Sequence, residues 1–106
     1  AENVKSQMRK GMLEYCVLLL LRKECLYVSD ILNRLKEAKL IVVEGTLYPL
    51  LTRLKNDGVL AYEWQESTQG PPRKNYSLTE EGCNMLAQIE AAWNDIANTV
   101  NHIKNS

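Results

Sequence analysis

The 106 residues of the sequence fit one domain that buries roughly 60–70% of its unfolded surface, which leaves no room for a second independent domain. Its 45% hydrophobic and 25% charged residues are typical of a globular protein and exclude a disordered or fibrous chain. The formal net charge is zero, and the longest apolar run, residues 15–21, is too short to span a bilayer and predicts a buried helix.

The charges are distributed unevenly along the chain. Residues 1–39 carry eight basic and five acidic side chains, residues 40–78 carry four of each, and residues 79–106 carry one basic and four acidic. The first residues lack the basic, apolar and small-residue order of a secretion signal. We therefore expect a cytoplasmic protein without a membrane partner.

The cysteines and the histidine do not predict a catalytic or metal site. Cys16, Cys25 and Cys83 are odd in number and form no CxxC pair, which argues against a disulfide framework and a zinc site. His102 is the only histidine, and no nucleophile with a base or phosphate-binding loop is visible. We expect no metal, no cofactor and no enzymatic activity.

Apolar residues at helical spacing predict two helices in the N-terminal part of the chain. Val4, Met8, Met12, Cys16 and Leu20 recur every four residues, which predicts a central first helix from about Lys5 to Lys23. A shorter amphipathic helix is predicted from about Val28 to Ala38. Residues 40–43 are rich in β-branched side chains and form either a connector or a strand with a single bridge.

A third helix is predicted by a stripe of leucines: Leu47, Leu50, Leu51 and Leu54. Gly58 then supplies a left-handed cap. Pro49 fits in the first turn if Thr46 is the N-cap, whereas a start near Glu44 predicts a local kink.

The period changes to two after Gly58, which predicts a β-hairpin. Leu60, Tyr62 and Trp64 point one way along the first strand, and Lys74, Tyr76 and Leu78 alternate along the second. Residues 67–72 predict a connecting loop that is too long for a two-residue turn.

The last predicted helix begins after Thr79, where Glu80 and Glu81 suit the helix dipole. Its apolar residues are spaced alternately by three and four, as in the heptad seam of a coiled coil. We expect them to form a homodimer interface of Leu86, Ile89, Trp93, Ile96, Val100 and Ile103.

This order of elements predicts a mainly α (α+β) fold, a winged helix-turn-helix with an additional long C-terminal dimerisation helix. Residues 1–78 would form the DNA-binding domain and residues 79–106 the dimerisation helix, in one compact unit with the first helix. In such a fold the third helix enters the major groove of double-stranded DNA and the hairpin reaches the backbone. Polar side chains lie opposite the leucines: Thr46, Tyr48, Thr52, Arg53, Lys55 and Asn56. We expect further donors at the wing tip: Gln69, Arg73, Lys74 and Asn75.

Two motifs carry a family resemblance, GTLYPLLTRL at residues 45–54 with Asp57-Gly58, and GPPRKNYSLT at residues 70–79 with Gly82. Together they resemble the signature of the PadR family of bacterial transcriptional regulators, with Asn75 standing where an aromatic residue is commoner. The resemblance implies a homodimer that represses a promoter at an operator until an effector binds. It also implies that Tyr48, Pro49 and Arg53 face DNA or position the helix, and that Arg73 and Lys74 are wing contacts.

The single C-terminal helix resembles that of the short branch of this family. Some short relatives carry a tryptophan there, beside an apolar pocket between subunits. The resemblance therefore implies a candidate pocket for a small apolar or aromatic effector, formed by Trp93, Met8, Met12 and Tyr15. Trp93 either packs in the interface or stacks on a ligand.

The roles of several surface residues stay open at the level of sequence. Tyr48 and Pro49 are either structural residues or DNA contacts, and the basic residues Lys5, Arg9 and Lys10 either approach phosphates or face water. The alternative function is a winged-helix module for protein contacts without DNA binding. Zero net charge favours that alternative, whereas the motif pair favours DNA.

Overall fold

The computed structural model describes residues 2–9 and 11–106 of the chain. Five helices and a three-stranded antiparallel sheet lie in these residues, in this order: α1 (Glu2–Arg9), α2 (Met12–Lys23), β1 (Leu26–Tyr27), α3 (Val28–Glu37), α4 (Glu44–Asn56), β2 (Leu60–Ser67), β3 (Gly70–Leu78) and α5 (Glu80–Lys104). The mainly helical fold with a small sheet and a long C-terminal helix is the predicted winged helix.

The single first helix predicted from Lys5 to Lys23 is wrong, because α1 ends at Arg9 and α2 begins at Met12. Gly11 has a φ of 86°, in the left-handed region that interrupts a right-handed helix and that glycine adopts at little cost. Lys10 lies outside the described residues. The four-residue apolar period runs through the break, and for that reason the pattern did not show it.

The core is built around α2, which contributes Val17, Leu18 and Leu21. The other helices and the sheet surround these side chains, and the cluster also contains Ile31, Leu35, Leu47, Leu51, Leu54 and Tyr76. Burial of these apolar side chains is the main favourable contribution to folding. Because the leucine stripe of α4 is buried there, its opposite face lies in water.

The sheet has the order β1-β3-β2. The short β1 pairs with β3 through Leu26 opposite Tyr76 and Tyr27 opposite Asn75. This strand was not predicted, since two residues are too few for an alternating pattern. Residues 40–43 form no strand, so the connector is the correct alternative there.

The hairpin turn is shorter than predicted, because only Thr68 and Gln69 join the strands and Ser67 pairs with Gly70. The prediction ended the turn at Pro72, but β3 already starts at Gly70. Proline is tolerated in a strand where its nitrogen faces no hydrogen-bonded neighbour. This condition can be met at Pro71 and Pro72, because β1 pairs with β3 only at residues 75 and 76.

Helix α4 begins at Glu44 with Val43 as its N-cap, so the predicted start near Glu44 is correct and the alternative cap at Thr46 is wrong. The backbone N–H groups of Thr46 and Leu47 donate to the Val43 carbonyl at 3.0 and 3.1 Å. Pro49 therefore lies inside the helix. Since proline has no N–H, it cannot donate to the carbonyl of Gly45.

Helix α5 begins as predicted, with the Thr79 side chain accepting a hydrogen bond from the Gly82 N–H at 2.9 Å. The same hydroxyl lies 2.6 Å from the Gly58 carbonyl and 2.9 Å from the Val59 carbonyl, which ties the start of α5 to the end of α4. No helix in the described ranges is long and apolar enough to cross a membrane.

Candidate nucleic-acid interface

The exposed face of α4 carries the predicted DNA-contacting side chains. The helix buries Leu47, Leu51 and Leu54 at helical spacing, and this fixes which side chains point away from the core. All seven predicted residues of α4 are exposed: Thr46, Tyr48, Pro49, Thr52, Arg53, Lys55 and Asn56. A shallow depression brings five of them together with Asp57: Tyr48, Pro49, Thr52, Arg53 and Asn56.

Arg53 is held by two carboxylates. Its Nη2 donates to Oε1 of Glu14 on α2 at 2.6 Å, and its Nη1 lies 3.7 Å from Oδ2 of Asp57, one helical turn further along α4. The predicted face therefore contains acids as well as donors. The sequence pattern gives no sign of the contact with Glu14, because 39 positions separate it from Arg53.

The basic residues of the hairpin lie over aromatic rings. The Arg73 guanidinium is 4.0 Å from the ring centre of Tyr27, and the Lys74 ammonium is 4.5 Å from that of Tyr62 and 5.5 Å from that of Trp64. Contacts of this kind hold long cationic side chains in place without neutralising them. Aromatic rings of the fold therefore orient Arg73 and Lys74.

These residues are in the body of the hairpin, which corrects the prediction that they form its tip. Arg73 pairs with Gln65, Lys74 with Trp64 and Asn75 with Glu63. Only Gln69 of the predicted group lies in the turn itself. The shorter turn explains the difference, since it leaves residues 70–75 within β3.

A cleft of about 390 Å³ separates the hairpin from α4 and the start of α3. It brings together Tyr48 of α4 with Arg73 and Lys74 of β3, three of the predicted residues. Tyr48 also lines the depression along α4, so it joins the two surfaces. Thr46 and Lys55 line neither of them, and the Lys55 ammonium instead lies 5.8 Å from the ring centre of Tyr62.

Trp64 also lines this cleft, although it was predicted only as a strand residue and not as a site residue. It stays 60% exposed although it contacts Tyr62 edge to face, with ring centres 5.8 Å apart. Tryptophan and tyrosine are enriched at the interfaces of proteins with their partners, so Trp64 is a candidate contact residue of this cleft. The signal in the sequence was the alternation of Tyr62 and Trp64 opposite a strand that carries two adjacent basic residues.

The predicted dimer residues divide into two groups in the chain. Leu86 is buried in the chain's own core and Ile89 is half-buried against it. The rest of the stripe is between 42% and 68% exposed: Trp93, Ile96, Val100 and Ile103. The heptad stripe therefore begins inside the fold and continues into water.

The predicted effector residues lie where α2 meets α5. The ring centres of Tyr15 and Trp93 are 6.3 Å apart, and Arg22 Nη1 lies 3.5 Å from Glu90 Oε2. Partial removal from water, and then the negative charge of Glu90, raise the pKa of the Tyr15 phenol. Met12 is half-buried and Met8 is exposed. Neither of the two clefts described above includes these side chains.

The sequence matches a known protein family. Residues 17–88 match the model of the transcriptional regulator PadR-like family, a span that runs from α2 through the hairpin into α5. The chain belongs to the PadR-like family. Members of this family are transcriptional regulators, and the family is not an enzyme class.

Solved structures of PadR-like regulators have the same fold. A PadR-like transcription factor from "bacteroid fragilis" is 70% identical, with 95% of this chain and 98% of that chain covered and a TM-score of 0.82. A regulator from Eggerthella lenta is 33% identical, with coverage of 96% and 89% and a TM-score of 0.90. One from Bacillus cereus is 32% identical, with coverage of 94% and 98% and a TM-score of 0.81. No curated protein sequence matched the chain.

This PadR-like regulator has no obvious metal centre in the part of the chain that the structure describes. Groups of three or more histidine, cysteine, aspartate or glutamate side chains that could hold an ion are absent from it. Cys16, Cys25 and Cys83 are free thiols, and burial raises the pKa of the Cys16 thiol.

Proposed function

We propose that this PadR-like regulator is a homodimeric, sequence-specific DNA-binding repressor that a small apolar or aromatic effector releases from its operator. In this proposal residues 1–78 form the DNA-binding domain and residues 79–106 the dimerisation helix. The contacts to DNA come from Thr46, Tyr48, Pro49, Thr52, Arg53, Lys55, Asn56, Arg73 and Lys74. An effector would lie beside Trp93, Met8, Met12 and Tyr15.

One observation supports DNA as the partner more than any other. The polar face of α4 and the cleft beside the hairpin meet at Tyr48, so they form one continuous surface. Arg73 and Lys74 line the cleft together with one acid, Glu44. A helix in the major groove and a hairpin against the neighbouring backbone need this arrangement, because both must reach the same duplex at once. Zero net charge is compatible with DNA binding, since the cations that matter are those on this surface.

The experiment that tests DNA binding measures affinity against salt. The duplex is one that the unaltered protein enriches from a random-sequence library, and binding is followed by fluorescence anisotropy at several salt concentrations. Lys74→Ala and Arg53→Ala should each weaken binding and reduce the salt slope by about one, because each removes a cation that displaces counterions from phosphates.

The matched control is Lys104→Ala, which removes an exposed cation from the far end of α5. It should leave the affinity and the slope unchanged. If Lys74→Ala and Arg53→Ala behave like this control, the alternative function as a protein-interaction module is favoured.

A further inference from the structure

Glu14 is an acidic side chain in direct contact with Arg53, a residue of the surface that we propose binds a polyanion. It lies on α2, outside the recognition helix, and accepts the shortest ion-pair contact of Arg53, at 2.6 Å. Its side chain is 27% exposed, compared with 57% for Arg53. A carboxylate in this place repels phosphates, so its presence needs a compensating role.

The backbone that carries Glu14 is anchored by the residues that follow it in α2. Val17, Leu18 and Leu21 of the same helix are buried in the core, and the adjacent Tyr15 contacts Trp93 of α5. Glu14 is therefore a rigid point from which a carboxylate reaches α4. Arg53, in contrast, is a long side chain with many rotamers and loses that freedom when it contacts DNA.

We propose that Glu14 is a positioning residue that holds the Arg53 guanidinium in its DNA-contacting orientation before DNA arrives. The inference rests on the proposed function. The contact with Glu14 is through Nη2, and a guanidinium has five N–H donors in a fixed plane, so others stay available for a base edge or phosphate. Fixing the side chain in advance lowers the entropy lost on binding, and favours one register on the duplex.

Asp57 provides a charge-matched comparison on the same guanidinium. Its Oδ2 lies 3.7 Å from Arg53 Nη1, beyond hydrogen-bond distance, and both side chains are 57% exposed. It follows α4 directly as its C-cap residue. Replacing either acid by its amide removes one negative charge near the phosphates, but only Glu14 makes the short contact from a second helix.

The test compares Glu14→Gln, Asp57→Asn, Arg53→Ala and the Glu14→Gln/Arg53→Ala double variant, on the enriched duplex and on a random-sequence duplex. Loss of a negative charge alone would raise the affinity for both duplexes, as we expect for Asp57→Asn. Glu14→Gln should instead lower the affinity for the enriched duplex by about threefold to tenfold, the size of coupling between residues in contact, with little change on random DNA. In the Arg53→Ala background, Glu14→Gln should cause no such loss.

Glu14→Asp serves as a second variant that keeps the charge but shortens the reach, and it should also reduce the preference for the enriched duplex. The role of Glu14 is overturned if Glu14→Gln tightens binding as Asp57→Asn does, or if it weakens binding equally with and without Arg53. If the unaltered protein enriches no duplex from the library, the proposed function itself fails and this role fails with it. Thermal unfolding of each variant shows that the fold is retained.

Discussion

Gly82 has no Cβ, and this allows the first turn of α5 to pack closely against Val59 and Leu78. A Cβ built at this position would collide with the Val59 carbonyl oxygen and approach the Leu78 side chain. The residue is buried in the first turn of α5, and its N–H is the one that Thr79 caps. Gly82 therefore has a steric role at the junction between the wing and the last helix.

We predict that Gly82→Ala lowers the free energy of unfolding by about 1–3 kcal/mol, the usual cost of overpacking, because a carbonyl oxygen of the backbone cannot move aside easily. The matched control is Gly45→Ala in α4, where an added Cβ meets nothing within 4 Å. It should be neutral or raise the free energy of unfolding by up to about 1 kcal/mol through helix propensity. Urea unfolding at one protein concentration measures both, and equal effects would contradict the steric role.

Individual residues were predictable from sequence where one local pattern determined their environment. The leucine stripe of α4 showed that Tyr48 and Arg53 face water, and both are exposed. The contact between Glu14 and Arg53 was not predictable, because it depends on how α2 and α4 pack and no periodicity records that. The aromatic partners of Arg73 and Lys74 were missed for the same reason, since strand pairing and register place them.

Helices α3 and α4 end in the same hydrogen-bonding motif, in which one residue after the helix has a positive φ. That residue is Lys39 after α3 and Gly58 after α4. At the end of α4, Gly58 has a φ of 80°, as predicted, and the Val59 N–H donates to the Leu54 carbonyl. At the end of α3, Lys39 has a φ of 70° and the Leu40 N–H donates to the Leu35 carbonyl. A lysine in this conformation is strained, because its Cβ crowds the following carbonyl oxygen.

We predict that Lys39→Gly raises the free energy of unfolding by about 0.5–1 kcal/mol, because relief of the left-handed strain exceeds the entropy that glycine loses on folding. The same substitution at Lys36, in the last turn of α3, should lower it by up to about 1 kcal/mol, because glycine has a low helix propensity. Opposite signs in parallel urea titrations would support the explanation. A loss of stability in both variants would contradict it.

Element types were easier to predict than their ends. The helical and alternating periods identified α3, α4, the hairpin and α5, because each buries one face over many residues. The break at Gly11 was missed, and the start of α4 was left open between Glu44 and a cap at Thr46, since a single left-handed residue or an uncapped first turn leaves the apolar period unchanged. The two-residue turn was missed because Pro71 and Pro72 suggested a loop, although they lie within β3.

On the scale of the whole molecule, α5 connects the chain's own core to an apolar surface in water. Its 25 residues correspond to roughly 37 Å at 1.5 Å per residue. The helix is anchored at its start by Leu86, and its later part presents Trp93, Ile96, Val100 and Ile103 to solvent. A second copy of the chain offers an identical stripe, and a two-fold interface requires that each partner use the same surface.

We predict that Ile96→Asp converts the proposed dimer to a monomer, because two-fold symmetry would place the buried charge in the interface twice and no cation of the stripe can pair with it. Asn98→Asp is the control, since it adds the same charge on the opposite side of α5, about 200° around the helix from Ile96. Sedimentation velocity should give Ile96→Asp half the mass of the unaltered protein, and Asn98→Asp the full mass.

Binding to the enriched duplex should then fall by about 100-fold or more for Ile96→Asp, because the two half-sites are no longer bound by one linked molecule. A dimer that persists in Ile96→Asp would mean that α5 is covered in another way and that operator recognition does not depend on this seam.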